Sequence, residues 1–176
     1  LSIYIGFLFD ENITQGPKID FAHALKQVAS FKENFKYTFL NYDKIENVTR
    51  ISPIFTSIIY FINEFTNNTD LTRFILLNII LLNQIFFYKC LKISPIKFNL
   101  ENKYLLILSS SIYLSPSFRA NAIWPESAML GLLFFLISLY YFLKFTKQYN
   151  IKYALLNVFF LALASYIRPS FCLFSI

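Results

Sequence analysis

The stretch Ser127–Leu143, SAMLGLLFFLISLYYFL, carries no charge from end to end. Three more uncharged runs resemble it: Phe74–Tyr88, Tyr104–Phe118 and Tyr153–Ile167. Each is 15 to 17 residues long, a little under the ~20 that a membrane-spanning helix needs. Flanking lysines and arginines can snorkel to the surface, and Phe87, Tyr88, Tyr104 and Tyr153 suit the interface. Leu1–Phe9 is also apolar but too short to span alone, and is expected to be the outer half of a first transmembrane helix. A signal-peptide remnant is the alternative, although no small-residue cleavage site follows it. The expected fold is all-α: a polytopic transmembrane bundle with spans at about 1–9, 74–88, 104–118, 127–143 and 153–167, and an external loop over 10–73.

Composition agrees. The chain is 56% hydrophobic and 20% aromatic with only 15% charged residues, where a soluble domain carries nearer a quarter charged. The net charge of +6 does not imply a nucleic-acid partner, because the lysines sit in two short loops instead of one block. Lys89, Lys92, Lys97 and Lys103 face only Glu101, and Lys144, Lys147 and Lys152 face no acid, so both loops are expected to be cytoplasmic. The opposite side then receives 10–73, Arg119–Glu126 and Arg168, with nine of the ten acids. Leu1 is not a methionine and the chain stops at Ile176 within an apolar stretch, so the sequence reads as the N-terminal part of a longer protein. Cys90 and Cys172 lie at the ends of different runs and read as packing residues.

The 10–73 region is too polar for lipid and too regular for a plain loop. Gly16-Pro17 marks a turn. Phe21, Leu25, Val28 and Phe31 then recur at helical spacing, with Asp20 placed to cap that helix. Residues 37–50 have weak periodicity and read as loop. Ser52-Pro53 opens a second amphipathic helix, with Ile51, Ile54, Phe55, Ile58, Ile62 and Phe65 on one face and Thr56, Asn63 and Glu64 on the other. It is expected to lie on the membrane surface, since a spanning helix there would put the lysine loops and the acidic loop on one side.

Chemistry is expected where the first apolar run stops, at Phe7-Leu8-Phe9-Asp10-Glu11-Asn12. A carboxylate at the bilayer edge suits a general base, or a ligand for a divalent cation on a phosphate. Asp20 either folds back toward Asp10 or simply caps its helix; His23 reads as a solvated histidine. The loop 115–126 places Arg119, Trp124 and Glu126 on the same side, and Arg168-Pro169 ends the last run there. Arginines suit phosphate oxygens, Trp124 either stacks on a sugar or anchors the interface, and Glu126 is either a second acid or a cap. No Gly-rich phosphate loop, metal-ligand spacing or Ser-His-Asp set is present. The sequons at Asn12, Asn47 and Asn67 fall on the external side of a chain rich in asparagine.

In this order, the chain resembles the GT-C integral membrane glycosyltransferases, the group holding protein O-mannosyltransferases and aminoarabinose transferases. The resemblance rests on Asp10-Glu11 after one apolar helix, a long loop containing Ser52-Pro53, Arg73 opening a helix, Leu114-Ser115-Pro116 with Arg119, an acid before the fourth span, and Ala162–Pro169 ending in Ile167-Arg168-Pro169. It implies a sugar transferred from a polyprenyl-phosphate-linked donor. Asp10 would be the catalytic base, with Glu11 as its neighbour and Asp20 and Glu11 as the next candidates for that role, and Arg119 and Arg168 would meet the donor phosphate. Family members often carry an Asp in the second external loop; this chain has Glu126. Some members use a divalent cation and others do not, which leaves the cofactor open. The implied partners are the lipid-linked donor and membrane lipids. The implied location is the bacterial inner (plasma) membrane, with the site on the extracytoplasmic side. The rival expectation is a transporter or lipid flippase, which the uncharged runs disfavour; a membrane scaffold is a third.

Overall fold

The computed structural model describes residues 1–12, 15–44, 52–94 and 101–174, and all regular structure among them is helical. In chain order the helices are α1 (Ser2–Leu8), α2 (Gly16–Glu33), α3 (Phe35–Leu40), α4 (Pro53–Thr66), α5 (Thr69–Ile93), α6 (Asn102–Ser110), α7 (Pro116–Ile123), α8 (Ser127–Gln148) and α9 (Ile151–Ile167). Short 3-10 turns cover Tyr42–Lys44, Ser111–Leu114 and Pro169–Phe174. The all-α expectation holds.

Asn68 starts the longest helix: its side chain accepts the Leu71 N–H, Asp70 sits in the first turn and Lys92 in the last, matching the helix dipole. At 25 residues α5 is about 37 Å long at ~1.5 Å per residue. α5 and α8 are long and apolar enough to cross a membrane, and α9 is a shorter apolar helix. α8 ends at Tyr149 in a left-handed conformation (φ 49°). Asn150 then caps α9 by accepting the Lys152 N–H. This two-residue connection makes α8 and α9 an antiparallel hairpin, sealed by stacked rings of Phe134, Tyr141, Tyr153 and Phe160. Within it the Ser138 hydroxyl donates to Asn157 Oδ1 at 2.6 Å. α5 lies against α8 through Leu76, Leu77 and Ile80 with Leu130 and Leu133, and Asn83 donates to the Met129 carbonyl at 3.3 Å. Cys90 is buried in this seam, whereas Cys172 is exposed.

Four expectations change. Residues 104–118 do not form one helix. α6 stops at Ser110, a 3-10 turn follows, and α7 begins at Pro116. Ser109, Ser110 and Ser111 hydroxyls bond back to carbonyls three or four residues earlier, which competes with the helix. Pro116, lacking an N–H, can start α7 but not continue α6. Second, Asp20 is not a cap. α2 begins at Gly16, with Pro17 in its first turn, because a proline's fixed φ suits that position as well as a turn. Third, part of the predicted loop 37–50 is ordered as the end of α3 and a 3-10 turn, with Asn34 capping α3; 45–51 lie outside the described residues.

Fourth, α4 starts as expected at the Ser52 cap and Pro53, but its buried face is rotated. Phe55, Thr56, Ser57 and Ile59 are buried while Phe65 is exposed. Thr56 turns inward because α2 offers it a partner. Its hydroxyl and that of Tyr42 both donate to the buried Gln27 Oε1, at 3.0 and 2.6 Å. A buried polar group is tolerated when it is bonded, so three polar side chains join the apolar α2–α4 seam. Phe31, Phe35, Tyr60 and Phe61 extend that seam as a ring cluster.

Candidate functional site

α1 ends in a turn that fixes both carboxylates. The Glu11 N–H donates to Gly6 O at 2.8 Å and the Asp10 N–H to Phe7 O at 3.2 Å. This paired closure is a Schellman motif, which needs its penultimate residue left-handed. That residue is Asp10, with φ 50°. Aspartate tolerates this region better than most residues with a Cβ. The reversal sends the two neighbouring side chains to different helices.

Asp10 goes to α5. Arg73 Nη2 donates to its Oδ1 at 2.5 Å, and the same nitrogen donates to Phe7 O at 3.3 Å. Arg73 is only 4% exposed, with its guanidinium 4.3 Å from the Phe7 ring centre and 4.1 Å from that of Trp124. Asp10 remains 60% exposed. The result is a carboxylate presented to solvent on a buried cationic anchor. Asp70 stands further from Arg73, at 3.9 Å.

Glu11 goes to α7. Arg119 donates to its Oε2 from Nε at 3.1 Å and from Nη2 at 2.5 Å. Arg119 Nη2 also donates to Ser2 O at 3.2 Å, so it clamps both ends of α1. Gly6 makes room: a Cβ there would collide with Glu11 Oε2 and lie 2.7 Å from Ile123 Cδ1. The Glu11 carbonyl accepts from Trp124 Nε1 at 3.0 Å.

Trp124 is thus neither an interface anchor nor an open sugar platform. It is 7% exposed, with Arg73 and Lys18 over its ring and Phe21 against it. A buried indole with its N–H bonded is a structural keystone, here joining α1, α2, α5 and α7.

A second acid–arginine group lies next in the chain. Glu126 precedes α8 and makes no side-chain cap bond. Arg168, at the end of α9, approaches it at 3.9 Å and stays 48% exposed. Burial pushes the Glu126 carboxyl above its ordinary value, Arg168 pulls it down less, and the Asp20 charge pushes it up further. Asp20 is exposed on α2, and its charge is felt at Glu126.

The structure therefore joins Asp10 with Arg73, Glu11 with Arg119, and Glu126 with Arg168. It does not pair Arg119 with Arg168. Sequence reasoning missed Arg73 as a site residue, taking it for a helix flank. The available signal was its place one turn inside a capped helix, five residues after Asn68. Among the described residues, no three His, Cys, Asp or Glu gather closely enough to hold a metal ion.

No protein-family model, curated protein or solved structure matches the chain.

Proposed function

We propose that the chain belongs to a polytopic membrane glycosyltransferase that moves a sugar from a polyprenyl-phosphate donor to an extracytoplasmic acceptor. The location that fits is the bacterial inner membrane. α5, α8 and α9 would cross it, with α1 entering from one side and α6 completing the third pass as a broken helix. The lysines at the far ends of α5 and α8, Lys92 and Lys147, favour placing that end in the cytoplasm. The acid–arginine end then faces outward.

One observation carries the reading: Asp10 is an exposed carboxylate held from behind by a buried arginine, at the mouth of an apolar helix. A general base must be accessible to its substrate and fixed in direction. In the proposed step the acceptor hydroxyl oxygen attacks the anomeric carbon while its proton passes to Asp10. The anomeric carbon–oxygen bond breaks, and its electron pair leaves with the polyprenyl phosphate. The configuration inverts. Arg168, loosely paired and exposed, is the first cation to meet the leaving phosphate. Arg119 joins it only when Glu11 turns away, and otherwise positions Glu11.

Asp10→Asn tests this, because asparagine keeps the left-handed turn and removes the charge. In the intact protein, with radiolabelled polyprenyl-phosphate hexose and pentose donors and membranes supplying the acceptor, transfer should fall by roughly 100-fold or more. Binding of polyprenyl phosphate should be unchanged. Transfer at the wild-type rate would remove Asp10 from the reaction.

A further inference from the structure

We infer that Arg73 is a positioning residue for Asp10, held against two aromatic rings so that the carboxylate has one direction. What Asp10 does rests on the transferase reading above; what holds it rests on geometry.

An arginine in the second turn of an exposed helix end usually carries its head into water. Arg73 does the opposite, at 4% exposure. Its Nε is buried without a partner among the described residues. Among the described residues its desolvation is offset by Asp10, the Phe7 carbonyl, the two rings and the more distant Asp70. A buried charge with an unmet donor is not the arrangement that maximises stability, since an apolar side chain of that size often serves as well. Nor is α1 short of other ties to α5. The Tyr4 hydroxyl donates to Asn78 Oδ1 at 2.8 Å, and Tyr4 and Phe7 both pack on Phe74. Helix docking alone does not require the guanidinium.

A phosphate-binding role fits Arg73 poorly. Nη2 already serves two oxygens, the Phe7 and Trp124 rings both crowd the guanidinium, and the group is out of solvent. Arg168, exposed and 3.9 Å from its acid, suits a mobile anion better. The two arginines should therefore separate kinetically: Arg73 acts on the rate at bound donor, and Arg168 on donor binding.

The experiment uses the intact protein in lipid nanodiscs, with Arg73→Gln and Arg73→Lys. Three quantities are read: kcat and KM for a polyprenyl-phosphate-linked sugar, equilibrium binding of polyprenyl phosphate, and thermal unfolding in a double-mutant cycle with Asp10→Asn. For Arg73→Gln, kcat should drop roughly 100-fold, with KM and polyprenyl phosphate affinity within about twofold of wild type. Arg73→Lys keeps the charge but not the planar, forked head and should recover part of kcat. If the glutamine variant does not fold, the lysine variant carries the same comparison. In the cycle, the two substitutions should be non-additive.

Unchanged kcat in a folded Arg73→Gln protein overturns the inference. So does loss of polyprenyl phosphate affinity with kcat preserved, which makes Arg73 a phosphate ligand. Additive unfolding effects also overturn it, because the pair then carries no coupling. If the wild type transfers none of the donors, the transferase reading fails, and the unfolding cycle alone decides whether Arg73 fixes Asp10.

Discussion

Asp10 and Glu11 meet arginines that are drawn into the protein: Arg73 is 4% exposed and Arg119 holds its acid through two nitrogens. Glu126 meets an arginine that stays outside, with Arg168 48% exposed and 3.9 Å away while Glu126 itself is 17% exposed. In the first region the cation is buried and Asp10 is presented; in the second the acid is the more covered partner and the cation is presented. A buried partner defines direction, because a guanidinium packed out of water cannot swing to follow its acid. An exposed partner is screened and interchangeable, so it can be given up to an incoming anion. The same residue types thus give a fixed carboxylate at one place and an available cation at the other.

The contrast breaks most severely at Gly6. Its missing side chain is what lets Glu11 and Arg119 close over α1. Gly6→Leu should displace both together with Ile123 and cost about 1–3 kcal/mol through overpacking. The measurement is thermal unfolding of the purified protein, and an unchanged midpoint would show that the pair does not pack on this helix.

Next, the two arginines should differ on removal. Arg119→Gln leaves a half-buried glutamate without its cation and should cost about 1–2 kcal/mol. Arg168→Gln should cost under about 1 kcal/mol, as exposed pairs do. Added salt should narrow the gap for Arg168 and leave Arg119 nearly unaffected. Equal costs in unfolding experiments would erase the distinction between the regions.

Much of the helical frame was legible in the sequence, and its reasons are local. Uncharged runs marked α5, α8 and α9, and Ser52-Pro53 marked the start of α4. The break between α6 and α7 was also written locally, in Ser109-Ser110-Ser111 and Ser115-Pro116, but hydropathy averages over it. What single-helix reading lacks is the partner. Thr56 belongs inside only because Gln27, 29 residues earlier, accepts its hydroxyl proton. Arg73 looks like a flanking charge until Asp10, 63 residues away, and the Phe7 and Trp124 rings close around it. Asp10, Glu11, Arg119, Glu126 and Arg168 were named from the sequence as one expected set. Which acid faces which arginine was not, because that depends on the Schellman reversal after α1 and on α7 breaking away from α6.

The smallest effect, and the one most diagnostic of the second region, is the pH response of Glu126. Burial is the main influence on its carboxyl and raises it; Arg168 opposes this, and Asp20 adds to it. A carboxyl raised in the folded state favours folding most when protonated. Its contribution is complete below the ordinary glutamate value of about 4.3, and is lost as pH rises through the raised folded value. Glu126→Gln removes that loss. The variant should therefore gain stability relative to wild type as the pH of unfolding experiments goes from mildly acidic to mildly alkaline. The sign is informative in itself. Were Arg168 bound to Glu126 as closely as Arg73 is to Asp10, attraction would outweigh burial and the glutamate would be held below its ordinary value. Wild type would then gain on the variant with rising pH. Observing that reversal would mean Arg168 is committed to its acid and cannot serve as the exposed cation that the proposed leaving phosphate requires.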